Sequence, residues 1–317
     1  MAYRTAARCG RARRAAFDKR AFENNASDSE LSLVQGLDLG AVWLHSLTGI
    51  LEGPDISTGE EIGAQDSGSA VSLLFAAGRR PDAESIRQLA EKQSGFSISF
   101  DPAAEGGAPK VAPAEAEQVW LELLANGLTY DLVGLAPGTA ADAPPRAHAY
   151  GLAADGEGVR MEAVTVRPGP HLAGGHTLAP VVRSLARIGA MLSAIEGVEA
   201  IAWHSARCWS APGYFREGVL RWIEGGVFPS LGLAALALNP DGGMHSEGLA
   251  LFTGQEVRIE PELTSDRTAG AKIGVRLIDY LVEAGPIEKP QRIAGPDGAP
   301  LRLEPSANGR FVRVWRG

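Results

Sequence analysis

Residues 70–75, from Ala70 to Phe75, form a compact apolar run that reads as a buried strand, whereas upstream only a short apolar cluster stands out, Leu39 to Leu51. Pro81 and Asp82 then open a helix with Ile86, Leu89 and Ala90 on one face and Arg87, Glu91 and Lys92 on the other, and Gly95 stops it. Phe96, Ile98 and Phe100 alternate with serines at the period of a half-buried strand. Residues 115–124 place Val119, Trp120, Leu123 and Leu124 at a spacing that predicts a short helix, and 128–135 reads as another strand. Residues 136–145 have the composition of a linker.

A second series starts with a strand over 159–166 and passes through Pro168 and Pro170 into what the pattern makes the longest helix. That helix is expected to be capped by Thr177 and closed at Gly197, with Leu178, Val181, Leu185, Ile188, Leu192 and Ile195 in one stripe and Arg183 and Arg187 opposite. A buried strand follows over 200–203, and Ser210 with Pro212 starts a helix through Phe215, Val219 and Trp222 that ends at Gly225 and Gly226. Residues 231–238 predict a strand, 239–243 a turn, the next stretch a second strand, and 266–283 a helix. Short strands over 301–303 and 311–315 flank a turn at 307–310. Hairpins demand antiparallel pairing, so the expected fold is α+β: a mixed, mainly antiparallel sheet with helices packed on one face. Strand–helix–strand units near 70–100 and 160–203 can be read as two similar halves, although no residue-level repeat joins them. Residues 1–67 are expected to be a loosely docked or disordered extension, and 68–317 the α+β domain, with room for two subdomains meeting near 136–158.

With 45% hydrophobic residues in 317, the chain can bury a sizeable core. Its net charge of -8 argues against nucleic acid as a partner, since that affinity rests on neutralising phosphates. Cys9 and Cys208 alone can build neither a disulfide framework nor a four-cysteine zinc site, which suits a reducing cytoplasm. No apolar run reaches the roughly 18 residues that would span a membrane. Arg4, Arg8, Arg11, Arg13, Arg14, Lys19 and Arg20 against Asp18 make a basic opening similar to a transit peptide; a disordered leader or a start assigned too far upstream is the plainer reading. Residues 21–78 then hold acids but no Lys or Arg, a charge block typical of a flexible tail.

Three stretches invite a chemical reading. Residues 169–177 lie where a phosphate loop would sit, but Gly175 occupies the place of the lysine that reaches the phosphates, so a flexible connection is the simpler account. His204 and Cys208 follow a strand and are four residues apart, a spacing at which a basic neighbour could activate a thiolate. His245 and Glu247 share one face of a strand, and with Glu256 and either His204 or His176 they offer imidazole and carboxylate ligands, although without a helical metal-binding spacing. The catalytic candidates are therefore His204, Cys208, His245 and Glu247, for a small-molecule hydrolase or transferase. No motif calls for a cofactor. Arg310, Arg313, Trp315 and Arg316 are expected on the solvent face of a terminal edge strand.

The segment from Leu231 to Gly285 carries the sharpest pattern: an apolar strand, an acidic Gly-containing turn, then Gly248, Leu249, Phe252, Glu256 and Val257, then a helix. In this it resembles the bacterial family catalogued as domain of unknown function 4261, with the second glycine placed at Gly254, two residues after Phe252. The resemblance extends over about residues 70–315 and implies a fold but no catalytic residues. Gly248 and Gly254 would allow a bulge or a close backbone approach, with Phe252 buried inward. The expected function is a non-catalytic, cytoplasmic protein-binding module, accessory or immunity-like, with the His/Cys/Glu enzyme as the alternative.

Overall fold

The computed structural model describes residues 69–104, 119–152 and 161–317. The extension expected over 1–67 and the first part of the helix expected over 115–124 lie outside the described residues. The first eight strands are β1 (Val71–Ala76), β2 (Ser97–Phe100), β3 (Val119–Ala125), β4 (Leu128–Leu135), β5 (His148–Tyr150), β6 (Met161–Pro168), β7 (Val198–Trp203) and β8 (Cys208–Ser210). They form one sheet in the order β2-β3-β4-β6-β1-β7-β8-β5. With it go helices α1 (Ala83–Lys92), α2 (Ala179–Leu192) and α3 (Pro212–Ile223).

The apolar run of β1 lies near the middle of this sheet, antiparallel to both β6 and β7. Consequently β6 and β7 run parallel with β1 between them, and α2 makes the crossover. The unit β1–α1–β2 instead passes over β6, β4 and β3. Both strand–helix–strand units exist, but they interleave within one sheet. Val71, Leu73, Leu132, Val166, Ile201 and Trp203 are buried on the face that α2 and α3 cover. Tyr130 ties that face to α2 by donating to the Val181 carbonyl at 2.9 Å. On the opposite face Leu74, Ala163, Ala200 and Ala202 make a shallow floor, covered by Ala141, Ala143, Leu152 and Trp209. The alanine-rich stretch that reads as a linker thus lies flat on small side chains.

The remaining strands are β9 (Ala235–Leu238), β10 (Met244–Glu247), β11 (Glu256–Ile259), β12 (Gln291–Ala294), β13 (Pro300–Pro305) and β14 (Phe311–Arg316), joined by helices α4 (Ala250–Thr253) and α5 (Arg267–Ala284). They form a second sheet in the order β12-β13-β14-β11-β10-β9. Only β11 and β14 pair in parallel there. Asp266 starts α5 by accepting from the Thr268 and Ala269 amides, and the helix packs on β10 and β11. Val257, Ile259, Leu301, Leu303, Val312 and Val314 are buried on that side. The α+β class and the mainly antiparallel pairing hold, distributed over two sheets.

Several local expectations are corrected. Residues 119–125 form β3, because Leu121, Leu123 and Ala125 are buried at period two and pair with β4. Asn126 and Gly127, both at positive φ, make the tight hairpin turn between them, a signal already present in the sequence. Helix α2 begins at Ala179 with Pro180 in its first turn and lacks a Thr177 cap; Leu178 is exposed. Among the described residues the longest helix is α5, at 18 residues. The strand expected over 231–238 is confined to β9. The second strand expected after the turn is split into β10, α4 and β11. Strand β14 is internal, paired on both sides, so its arginines do not guard an edge.

Candidate functional site

Strand β10 turns Met244 and Ser246 into the interior and His245 and Glu247 outward, as its alternation requires. Glu247 is the centre of a four-residue cluster. His148 on β5 meets its Oε2 through Nε2 at 3.0 Å, and His245 Nε2 lies 3.5 Å from its Oε1. Arg207 reaches both oxygens, Nη2 donating to Oε1 at 2.7 Å and Nε to Oε2 at 3.3 Å, from a left-handed backbone position with φ of 48°. His245 is held in turn by Asn239 through Nδ1 at 2.7 Å. Burial by itself raises the Glu247 pKa, but the hydrogen bonds from His148, His245 and Arg207 outweigh it and hold the carboxyl well below the usual carboxylate range. Glu247 is thus ionised and engaged on both oxygens. Because β5 lies in the first sheet, Arg207 directly precedes its strand β8, and β10 lies in the second, the cluster is a clasp between the sheets.

The other two catalytic candidates do not join it. His204 Nε2 lies 2.7 Å from Ser72 Oγ, which in turn shares a 2.7 Å hydrogen bond with Thr165. Burial lowers the His204 pKa to about 4, so its ring is neutral at physiological pH. Cys208 pairs in register with Trp203 and so lies on the helix-covered face, whereas Ser72 and the His204 ring lie on the other. The sheet separates them. Cys208 is fully buried with Sγ 3.7 Å from the Ala234 carbonyl, and burial followed by the nearby Glu247 charge pushes its thiol pKa up. A thiolate nucleophile requires the opposite environment.

The metal-ligand reading distributes in the same way. Glu256 accepts from Ser246 Oγ at 2.5 Å and from the Ala250 and Leu249 amides at 2.9 and 3.3 Å, which fixes the start of α4. His176 is tied to the Ala173 carbonyl. Among the described residues no group of three or more His, Cys, Asp or Glu side chains has the geometry to hold a metal ion. Residues 170–175 form a 3-10 turn in place of a phosphate loop, with His171 bonded to Thr129 Oγ1 at 2.9 Å.

The sequence reading missed His148 and Arg207, which approach Glu247 from 99 and 40 residues away. It placed Arg313 and Trp315 on a solvent face but not the partners they meet on the outward side of the second sheet. Arg302 stands directly opposite Trp315, with Arg292 opposite Arg302 on the other flank. The guanidinium groups of Arg302 and Arg313 lie over the Trp315 ring at 4.9 and 4.7 Å from its centroid. Glu260 pairs with Arg313 at 2.7 Å, Glu304 with Arg302 at 3.3 Å, and Asp241 with Arg258. Two surface depressions, of about 400 and 300 Å3, lie elsewhere, against α2 and α3, and contain none of these residues.

No family model, curated protein or solved structure matches this chain. In the run from Gly248 to Val257, three residues have structural roles. Gly248, at φ of 82°, brings the chain so close to Ala206 that a Cβ there would lie 2.7 Å from the alanine methyl. Phe252 packs among Trp203, Trp222 and Phe228 with centroid distances of 6.2, 6.0 and 4.9 Å. Glu256 caps α4. The run is the joint by which the second sheet is anchored to the helix layer of the first.

Proposed function

We propose that this protein acts in the cytoplasm by binding another protein, through the outward face of its second sheet. The observation that carries the reading is the ordered Arg302–Trp315–Arg313 stack on a solvent-facing sheet. Tryptophan and arginine are enriched among the few residues that carry most of the binding energy at protein interfaces, and side chains already held in place lose less entropy on binding. Arg292 and Arg302, directly opposite on an antiparallel ladder, repel one another. A partner that brings a carboxylate to this pair and an apolar side chain to Trp315 would relieve that repulsion. Most arginines of this face are already paired with Glu260, Glu304 or Asp241, which suits a protein surface of mixed charge better than a phosphate backbone. The free, buried thiol of Cys208 is at home in a reducing compartment. Among the described residues no helix is long and apolar enough to cross a membrane.

A hydrolase or transferase built on His204, Cys208, His245 and Glu247 finds no support in a buried thiol, a histidine on the opposite sheet face and a carboxylate engaged on both oxygens. Quantitative affinity capture with wild type, Trp315→Ala and Cys208→Ser tests the proposal. A protein enriched by wild type and by Cys208→Ser, but depleted at least about tenfold by Trp315→Ala at unchanged thermal stability, is the expected result, a loss of about 1.4 kcal/mol or more. Equal recovery by all three chains would sink it.

A further inference from the structure

The depression of about 400 Å3 lies on the helix layer of the first sheet, remote in the fold from the surface assigned to the protein partner. It is lined by Lys92, Gln93 and Ser94 at the end of α1, Arg187 and Met191 on α2, and Arg216 and Leu220 on α3. Three of these seven residues are cations and none is an acid. In a chain of net charge -8 that is an unusual concentration. Elsewhere Arg80, Arg87, Arg167, Arg207, Arg258, Arg302 and Arg313 all pair with carboxylates. Among the described residues no carboxylate pairs with Lys92, Arg187 or Arg216.

The arrangement is also partly fixed in advance. Arg216 donates through Nη1 to the Ala190 carbonyl at 3.0 Å, which anchors its guanidinium at the rim of α2. Arg187 is half-buried, and it also lines the neighbouring depression of about 300 Å3 together with Arg183, Asn126 and Ser184. Arg183 is tethered to the Trp222 and Ile223 carbonyls at 3.1 and 2.9 Å. Cations gathered in a concave site repel one another and focus a positive field, so the site gains most from a multiply charged anion. Met191 and Leu220 add an apolar wall, which favours an anion that carries an organic group. The volume falls within the roughly 300–1,000 Å3 of small-ligand sites.

We propose that this depression binds a small phosphate monoester, its phosphoryl oxygens held by Lys92, Arg187 and Arg216 and its organic part set against Met191 and Leu220. Gln93 and Ser94 supply neutral hydrogen-bond donors at the mouth. The site is independent of the protein-binding face.

Calorimetric titration of the whole chain with phenyl phosphate, and separately with inorganic phosphate at matched ionic strength, tests the assignment. Saturable one-to-one binding of phenyl phosphate with a Kd below about 1 mM is expected, tighter than that of inorganic phosphate. Arg187→Gln and Lys92→Gln should each weaken it at least about threefold and together at least about tenfold, while Arg302→Gln on the second sheet leaves it unchanged. Neither substitution removes a hydrogen bond that holds the helices, so both should fold; a thermal melt of each variant checks this. Absence of saturable binding at that concentration overturns the proposal, as does an affinity that the double substitution leaves intact or a preference for inorganic phosphate.

Discussion

The pKa values of Glu247 and His204 are both lowered in the fold, yet one group stays charged and the other neutral, and each outcome follows from what surrounds the ring or carboxyl. Glu247 is buried among three donors and stays ionised far into the acid range; His204 is buried against hydroxyls and stays neutral. A histidine whose folded pKa is depressed contributes stability that is present above its ordinary value near 6.5 and is lost as pH falls towards about 4. That gap corresponds to about 3 kcal/mol. Urea denaturation between pH 7 and 4 should therefore show a steep loss of stability in wild type and a flatter profile in His204→Gln, whose amide can still bond Ser72. An unchanged slope would remove His204 as the cause. The Glu247 contribution is lost as pH falls below the ordinary carboxylate pKa of 4.5, so it touches only the acid end of this window and leaves the slope between pH 6.5 and 5 to His204. Of this cluster, His245 and Glu247 were legible because strand alternation puts residues two apart on one face. His148 and Arg207 were not, because only the docking of two sheets brings them there.

At the scale of elements, the segment between β10 and β11 shows how a conspicuous sequence run can serve packing. Gly248→Ala would force a methyl into Ala206 and keep a left-handed backbone that alanine resists, whereas Gly78→Ala, at φ of 73° with open space around it, meets only the backbone cost. The first should lose about 2 kcal/mol or more in chemical denaturation and the second about 1 kcal/mol. Equal losses would show that the contact with Ala206 is unimportant. Most elements were legible from period and punctuation: β1, β2, β4, β6, β7, α1, α3, α5 and the closing hairpin. Strand β3 was mistaken for a helix because Trp120 and Leu124, on its outer side, fill the positions a helical stripe would need. The short strands β5, β8 and β12 carry too few residues for a period, and tertiary pairing alone makes them strands.

In the whole molecule, the α+β class could be read from the hairpins, but the division into two sheets could not. It depends on Gly248, α4 and the Phe252 cluster diverting the chain between β10 and β11, and on β14 entering between β13 and β11 instead of lying at an edge. That internal placement puts Arg302, Trp315 and Arg313 together on the outward face of the second sheet. The central claim is that this face receives a protein partner. The most direct measurement is site-specific photo-cross-linking in cells, with the reactive side chain at Arg292 beside the stack and, as the comparison, at exposed Leu178 ahead of α2. The account predicts a discrete protein adduct from position 292, abolished by Trp315→Ala in the same chain, and none from position 178. Cross-linking that is absent from position 292, or that persists there without Trp315, would contradict it.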